Sequence, residues 1–599
     1  MKWLIPLLAA TMLTTVAHAQ PAPAPVGADL IVFNAQISTG TLSQPLASAL
    51  AVKGGKIYSV GTDAEILDLK GPDTQVIDAG LKRLVPGLHD AHTHVLNEFS
   101  YNYTVRWDGV PTLKRALEML SEQAERTPDG QWVKVIGGWS PYQFEENRLP
   151  TPEELEQAVP DRPLIVQYAY NRGFLNELAI KAFGVGTDQF PALPGMEFEK
   201  DSQGNYTGVV TADTFGFIAF EYMVPLPTTE ERLSSYIYAI NELNRFGITS
   251  VVDAGGTSYP QGHTPLTALA DDGRLNVRFQ FIDIQLPQPE GMSLVDAEIN
   301  TITKTAPISP GQNMLPDLAH GHEYEGAGEL LAIELHDHEN FDRPAIVIDP
   351  DLMRSRIVEE VTKLVVRRIP FRMHLSYDEN ITPFLDALEE INKTTPFDGL
   401  RWGIEHAETI SPENVARVKA LGGGIALDQK MALHGDAFAS TYSIEKAQET
   451  PRLRMLVDSG IPLAMTTDAF RASTFNPWVG ISWMITGESV SGSEILSEEN
   501  RLTREEALAL VTTGPAWFVG QEGEMGRIVS GNLADFALLN KDYFAVPDDE
   551  IKTISSVLTV VDGKVVFGAQ DFVDLAPKLP EALPAWSAAN YFGGYYETK

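Results

Sequence analysis

The middle of the chain alternates short apolar segments with helical ones, and this alternation restricts the fold more than any other feature. Apolar segments of strand length separated by helices are typical of a parallel β-sheet. Eight parallel strands predict an α/β fold, a closed (β/α)8 TIM barrel whose chemistry lies at the carboxyl ends of the strands. The eight strand candidates are residues 84–94, 163–170, 246–255, 277–284, 371–377, 400–408, 423–429 and 462–469.

Both ends of the chain indicate a second, smaller β domain. Residues 28–84 and 520–575 contain short β-rich runs separated by turns. We therefore expect the two ends to build one composite β-sandwich beside a barrel at residues 85–519. The aromatic segment 576–599 is expected to dock on the protein or on a partner subunit.

The strand candidates are unevenly spaced, which predicts insertions in the barrel. Three of the intervals exceed what a single crossover helix needs. We expect these segments to cover or shape the pocket. They are residues 95–162, 171–245 and 285–370.

Residues 1–19 have the features of a secretory signal peptide. Lys2 precedes an apolar run, and Ala17-His18-Ala19 offers small residues for cleavage before Gln20. The run is shorter than the roughly 20 residues that a membrane-spanning helix needs. The proline-rich residues 20–27 are interpreted as a linker. The sequence thus predicts a periplasmic or secreted protein.

Composition limits the partners and the ligands. The chain has 599 residues, a formal net charge of −36 and no cysteine. The negative charge opposes binding to nucleic acid or to an anionic membrane. Without thiolates, any metal site must use nitrogen and oxygen donors. The expected partner is a small-molecule substrate, and homo-oligomerisation is left open.

A histidine pair stands at the end of the first strand candidate. His92 and His94 face the same side of a strand because side chains alternate along it, and two imidazoles on one face suit a divalent metal. Later strand candidates end in further donors, namely His374, His406 and Asp468. A barrel brings these strand ends to one rim, so we expect the five side chains to meet at one site.

With these residues the chain resembles the amidohydrolase superfamily, and within it the metal-dependent hydrolases related to N-substituted formamide deformylases. The resemblance covers almost all of the mature chain. It implies that His92, His94, His374 and His406 contact metal, and that Asp468 contacts metal or the attacking water. The matching elements are Pro86-Gly87, Asp90-x-His92-x-His94, His374, Ile404-Glu405-His406, Asp468, Gly526-Arg527-Ile528 and Gly531–Asp535.

The chemistry of these donors predicts hydrolysis. Imidazoles and a carboxylate leave an open coordination position, where a bound water becomes a nucleophile near neutral pH. Asp468 would accept the proton of that water and return it to the leaving group. We expect a divalent metal, zinc by preference, as one or two ions.

One departure from the family concerns the number of metals. Many relatives place a carboxylated lysine, which bridges two metals, at or after the fourth strand, but Lys304 is the only lysine between residues 275 and 362. Asp283 or Glu323 could replace it, or the site holds one ion, which is the preferred interpretation.

Asp90 either supports a metal ligand or caps the strand end. Four further histidines are interpreted as solvated loop residues in preference to a second site, namely His320, His322, His336 and His338.

The other departure concerns the substrate. Many relatives carry an Asp-Gly-His element after the second strand, where this chain has Tyr170-Asn171-Arg172-Gly173. Asn171 stands nearest to that histidine. Arg172 could bind an anionic substrate or, in preference, a surface carboxylate. Trp139 either lines the pocket or packs in an aromatic core.

The sequence therefore predicts an exported metal-dependent hydrolase that acts on the C–N bond of an amide or a cyclic amide. An esterase or a deaminase on the same fold is the alternative, because the fold does not choose among these reactions. A non-catalytic ligand-binding protein is an alternative of another class, and the presence of Asp468 argues against it.

Overall fold

The computed structural model describes residues 27–597 except for ten gaps or single positions. The predicted signal peptide and most of the predicted linker lie outside the described residues, as do His320 and His338. The undescribed positions within this range are 42, 44, 189, 191–194, 213–219, 221–222, 256–263, 284–291, 306–321 and 338–340.

An eight-stranded parallel barrel forms the centre of the protein, which confirms the predicted fold class. Each strand pairs in parallel with the next along the chain. The eighth strand returns to the first, where Asp468 N donates to His92 O at 3.0 Å and His94 N donates to Ala469 O at 2.6 Å. The strands are Leu88–Thr93, Ile248–Asp253, Arg278–Asp283, His322–Ala327, Phe371–Leu375, Trp402–His406, Gly424–Asp428 and Leu463–Thr466.

Two of the barrel strands differ from the prediction. Residues 163–170 were expected to form the second strand, but Leu164–Tyr168 belongs to a separate sheet, where it pairs antiparallel with Arg172–Leu175. The prediction was wrong because an apolar run shows that a strand is buried and not which sheet buries it. The fourth barrel strand, His322–Ala327, lies inside the predicted insertion 285–370 and has no apolar run to reveal it.

The chain between the first and second barrel strands includes one five-stranded sheet, so the predicted insertions 95–162 and 171–245 share a structural unit. The sheet order is Glu197–Lys200, Tyr206–Thr211, Arg172–Leu175, Leu164–Tyr168 and Val133–Ile136. This unit, called the insertion here, packs on the segment after the eighth barrel strand and on the helix that follows the seventh. Gly138 N donates to Arg471 O at 3.0 Å, and Ser140 Oγ donates to Leu433 O at 2.7 Å.

Strands from both ends of the chain build the expected second domain. Side chains such as Val32, Leu50, Phe536 and Val560 form one buried core between two sheets. One sheet has the order Lys56–Gly61, Ala49–Lys53, Leu30–Phe33 and Gln75–Asp78. The other has the order Lys564–Gly568, Ser556–Val561, Phe536–Leu539, Arg83–Pro86, Gln36–Ser38 and Leu46–Ala47.

Helices pack around the barrel and connect its strands. Of those in the described part of the chain, none has the length and apolar character needed to cross a bilayer. The α-helices are Asp63–Leu67, Leu113–Arg126, Pro152–Ala158, Glu177–Phe183, Thr229–Arg245, Thr264–Asp271, Leu294–Thr305, Pro350–Arg367, Asp378–Thr394, Pro412–Ala420, Lys430–Thr441, Ile444–Gln448, Leu453–Ser459, Pro477–Thr486, Arg504–Leu510, Thr513–Phe518 and Ala589–Phe592. Short 3-10 helices span Val95–Tyr103, Pro141–Gln143, Ile333–Leu335, Glu498–Asn500, Asp548–Thr553 and Gln570–Leu575.

The aromatic terminal segment docks on the protein itself. The ring of Trp586 lies 5.0 Å from that of Tyr103, centroid to centroid. The ring of Tyr595 lies 5.4 Å from that of Phe246, at the end of a barrel helix. The tail therefore contacts both the end of a barrel helix and the segment Val95–Tyr103, which follows the first barrel strand.

Candidate metal centre

The histidine pair of the first barrel strand meets the carboxylate that follows the eighth. His94 Nε2 lies 3.0 Å from Asp468 Oδ1, and His92 Nε2 lies 3.5 Å from the same oxygen. All three side chains are buried. Asp468 has a φ of 50°, a left-handed conformation that is uncommon outside glycine and is enriched at functional sites.

A second group of donors lies beside the first and is centred on Glu329. Its Oε2 atom is 2.9 Å from His374 Nδ1 and 3.5 Å from His406 Nε2. The same oxygen is 3.6 Å from His92 Nε2, while Oε1 is 3.7 Å from His94 Nε2. The carboxylate of Glu329 thus reaches both the first-strand histidines and the histidines of strands five and six.

Sequence reasoning missed Glu329, although it considered carboxylates near this position. Glu329 comes two residues after the fourth barrel strand, and that strand had not been recognised. Asp283 ends the third strand and Glu323 lies within the fourth, but their side chains are outside what the structure describes. A search for acidic residues after each barrel strand would have found Glu329 once the fourth strand was known.

Of the four additional histidines, only His336 has a described side chain. Its Nδ1 atom lies 2.7 Å from Ile333 O, and its ring centroid is 6.5 Å from that of His374. The backbone of His322 lies in the fourth barrel strand. The structure therefore places His336 next to the donor group with one ring nitrogen bound to backbone.

Hydrogen bonds on the far side of two rings select the nitrogen that faces the site. His374 Nε2 donates to Asp337 O at 2.9 Å, and His406 Nδ1 donates to Asp428 Oδ2 at 2.6 Å. Each bond leaves the other ring nitrogen as an electron-pair donor, which is the usual arrangement of a metal-bound histidine. These partners orient the rings before a metal binds.

The third ring, His92, has a charged partner behind it. Its Nδ1 atom lies 3.0 Å from Glu405 Oε2, and the other oxygen of Glu405 accepts a hydrogen bond from Arg372 Nη1 at 3.1 Å. Glu405 belongs to the Ile404-Glu405-His406 motif but faces His92. A carboxylate in this position raises the basicity of the imidazole it contacts.

The charges around both central carboxylates favour their ionised form. Burial raises the pKa of Glu329, but the charge of His92 and the hydrogen bond from His374 outweigh it and hold this pKa well below its ordinary value. Burial likewise raises the pKa of Asp468, whereas Lys430, His92 and His94 lower it well below the ordinary value. Both groups are therefore anionic and suited to bind a cation.

The residues present fit a divalent metal. The Nε2 atom of His92 and the Oδ1 atom of Asp468 are buried without a well-formed hydrogen bond to any part of the chain that the structure describes. Such orphaned atoms are costly unless another partner satisfies them. Donors bound at about 2.1 Å in a tetrahedron lie roughly 3.4 Å apart. The 3.0 to 3.7 Å separations among these donors match that spacing.

Asp90 supports the strand end that carries the histidine pair. Its Oδ1 atom accepts a hydrogen bond from Thr467 N at 3.0 Å, and its Oδ2 atom bonds to the hydroxyl of Thr467. Burial raises the pKa of Asp90 to about 6, against the effect of these bonds. Asp90 therefore ties the first barrel strand to the loop that presents Asp468.

The three substrate-binding candidates lie in the insertion. Asn171 donates to both oxygens of Asp342, at 2.9 and 3.0 Å. Arg172 begins a strand, and its Nε atom has no hydrogen-bond partner in the described residues. Trp139 is only 1% exposed and donates to Gln167 O at 2.9 Å, so it packs in the aromatic core of the insertion. Their predicted contact with substrate stays a prediction.

A parallel barrel with buried histidines and carboxylates at the carboxyl ends of its strands defines a metal-dependent hydrolase fold. The family model described as amidohydrolase family matches residues 75–567, and the chain belongs to that family.

Individual proteins of known sequence or structure extend this likeness over most of the chain. The N-substituted formamide deformylase of Arthrobacter pascens is 24% identical over 565 residues, which are 89% of this chain and 97% of the deformylase. An uncharacterized metal-dependent hydrolase from Pyrococcus furiosus superposes with a TM-score of 0.58 at 19% identity, over 86% of this chain and 99% of its own. An adenosine deaminase from Xanthomonas campestris with bound zinc gives a TM-score of 0.52 at 12% identity, over 92% and 95%.

Proposed function

We propose that this protein is an exported zinc-dependent hydrolase that cleaves the C–N bond of an amide or a cyclic amide with water. The observation that carries the proposal is the convergence of His92, His94, Glu329 and Asp468 with the histidines of strands five and six. The likeness to a formamide deformylase over 89% of the chain supports an amide as the substrate.

The donor set supports zinc and two ions. Imidazole nitrogens and carboxylate oxygens are donors that zinc accepts readily. Glu329 directs one oxygen at His94 and the other at His374, so it can serve the two histidine groups at once. This arrangement favours two ions over the single ion preferred from sequence, with Glu329 in the place for which Asp283 and Glu323 were candidates.

The metal, Asp468 and the residues behind the histidines have different roles in the proposed reaction. A divalent cation supplies Lewis acidity, which lowers the pKa of nearby water and polarises a carbonyl oxygen. Asp468 is placed to take the proton of the attacking water and to deliver it to the leaving nitrogen. Glu405 and Asp428 hold His92 and His406 in orientation.

The test is a metal determination followed by a substrate panel. Protein purified without chelator is analysed for metal and assayed with N-substituted formamides, cyclic amides, matched esters and aminated heterocycles. Release of amine from amides, lost in Asp468→Asn, supports the proposal. Turnover of esters alone or of aminated heterocycles alone would replace it with an esterase or a deaminase. Metal-free protein that binds these compounds without turnover would favour a ligand-binding protein.

Export and partners need separate experiments. The proposed signal peptide predicts a mature chain that begins at Gln20 and leaves the cytoplasm, which fractionation with amino-terminal sequencing tests. The net charge of −36 supports a small-molecule substrate over nucleic acid or a membrane surface. Sedimentation of the mature chain tests whether it forms a homo-oligomer.

A further inference from the structure

A buried lysine stands directly against the proposed metal centre. Lys430 is the first residue of the helix Lys430–Thr441, which follows the seventh barrel strand, and it is 1% exposed. Its Nζ atom lies 2.7 Å from Asp468 Oδ2 and 3.0 Å from Asp428 Oδ2. It also lies 3.3 Å from His406 Nδ1.

The three side chains around this ammonium group form a further set of metal donors, in which His406 Nδ1 would have to give up the proton that it shares with Asp428. One donor atom each from His406, Asp428 and Asp468 lies within 4.8 Å of the others, and all three residues are buried. Two buried carboxylates this close to each other need a positive charge between them. In this structure the side chain of Lys430 provides that charge.

Because of the lysine, the two oxygens of Asp468 have different contacts. The Oδ2 atom contacts Lys430, whereas the Oδ1 atom faces His92 and His94. A carboxylate held at one oxygen cannot rotate freely or bind a metal through both oxygens. The contact therefore fixes the face that Asp468 presents to water and substrate.

We propose that Lys430 is a built-in cation of the centre, which closes the His406–Asp428–Asp468 group to metal and positions Asp468 for proton transfer. Lys430 is a positioning residue, since it acts through Asp468 and not on the substrate. This inference rests on the proposed metal site, and the experiment below separates the two.

The decisive comparison is between Lys430→Ala and Lys430→Met. Alanine removes the charge and opens the space, so we expect this variant to bind one more equivalent of Co²⁺ than the wild type after dialysis. Methionine removes the charge but fills the space, so its metal count should stay at the wild-type value. Lys446→Ala, at an exposed lysine in the next helix, is the matched control and should behave as the wild type.

Kinetic and spectroscopic measurements test the positioning role. We expect kcat of Lys430→Met to fall about 100-fold with KM changed less than about threefold, because a misplaced catalytic group costs rate more than substrate affinity. The visible spectrum of its Co²⁺ form should shift, because Asp468 is released from its second contact. Added alkylammonium ions should restore part of the activity of Lys430→Ala.

The outcomes separate the inference from the function on which it rests. Wild-type protein that binds no metal would refute the metal site itself. If the wild type binds metal and Lys430→Ala binds the same number of equivalents, the proposal that Lys430 acts as a built-in cation is refuted. If Lys430→Ala does not fold, Lys430→Met decides alone: wild-type kcat and an unchanged Co²⁺ spectrum overturn the inference, and the losses described above support it.

Discussion

Glu329 Oε2 lies 2.9 Å from His374 Nδ1, so the loop after the fourth barrel strand meets the side chain at the end of the fifth. The other oxygen of Glu329 faces His94 on the first strand, at 3.7 Å. One carboxylate therefore connects donors that come from opposite parts of the chain.

The charge of Glu329 is expected to hold metal. Glu329→Gln keeps the size of the side chain and removes its charge, so we expect loss of about one equivalent of metal and a fall in kcat of roughly 100-fold. Metal analysis of dialysed protein and steady-state kinetics measure both effects. Glu334→Gln alters an exposed glutamate nearby and should leave both values unchanged. Full metal content and full activity in Glu329→Gln would remove this residue from the centre.

Each histidine that donates directly to metal should be needed for occupancy as well as for activity. His92→Ala and His374→Ala each delete one donor, so metal content and turnover should fall together while the circular dichroism spectrum stays native. His336→Ala is the matched control, because its ring lies 6.5 Å from that of His374 and bonds to backbone. Normal metal occupancy in either donor variant would count against the ligand assignment.

The sequence predicted the donors that end strongly apolar strands. His92, His94, His374 and His406 each lie on or next to a barrel strand with a clear buried pattern, and the structure brings them to one site. Asp468, after the eighth strand, joins them. The chain order of parallel strands fixes where their carboxyl ends lie, so a few motifs were enough to predict which of these side chains lie close together.

The positions of two strands, of Glu329 and of Lys430 could not be predicted from the sequence, because they depend on tertiary structure that no local pattern reveals. The strand His322–Ala327 reads His-Glu-Tyr-Glu-Gly-Ala, without an apolar run or alternation typical of a buried strand, so Glu329 could not be placed after it. Leu164–Tyr168 has the apolar pattern of a barrel strand and lies in the insertion instead. Lys430 was not considered because a lysine is rarely buried, and only coordinates show the two carboxylates that accompany it.

Asp468 is expected to matter for proton transfer more than for metal binding. Asp468→Asn keeps the shape of the side chain but cannot accept a proton, so we expect kcat to fall about 1,000-fold, within the range found for general acid–base groups. Metal content should remain at half or more of the wild-type value, since the histidines and Glu329 are intact. Asp458→Asn changes an exposed aspartate and serves as the control. Activity within about threefold of wild type would exclude the assigned role.

Acid sensitivity should depend in part on a histidine inside the barrel that takes no part in the proposed chemistry. His89 is 2% exposed, and neither ring nitrogen has a hydrogen-bond partner in the described residues. Burial, together with the charge of Arg372, lowers the pKa of His89 to about 3. The folded protein therefore keeps this ring neutral down to about that pH.

In the unfolded chain the same histidine takes up a proton below pH ~6.5. Between that pH and about 3 the unfolded state binds one more proton than the folded state at this residue, so stability falls as the pH is lowered, by up to about 1.4 kcal/mol per pH unit. His89→Phe removes this titration and should reduce the slope of unfolding free energy against pH across the window. Urea unfolding of metal-loaded wild type and variant at a series of pH values measures this slope. A slope equal to that of the wild type would show that His89 is not a source of acid sensitivity.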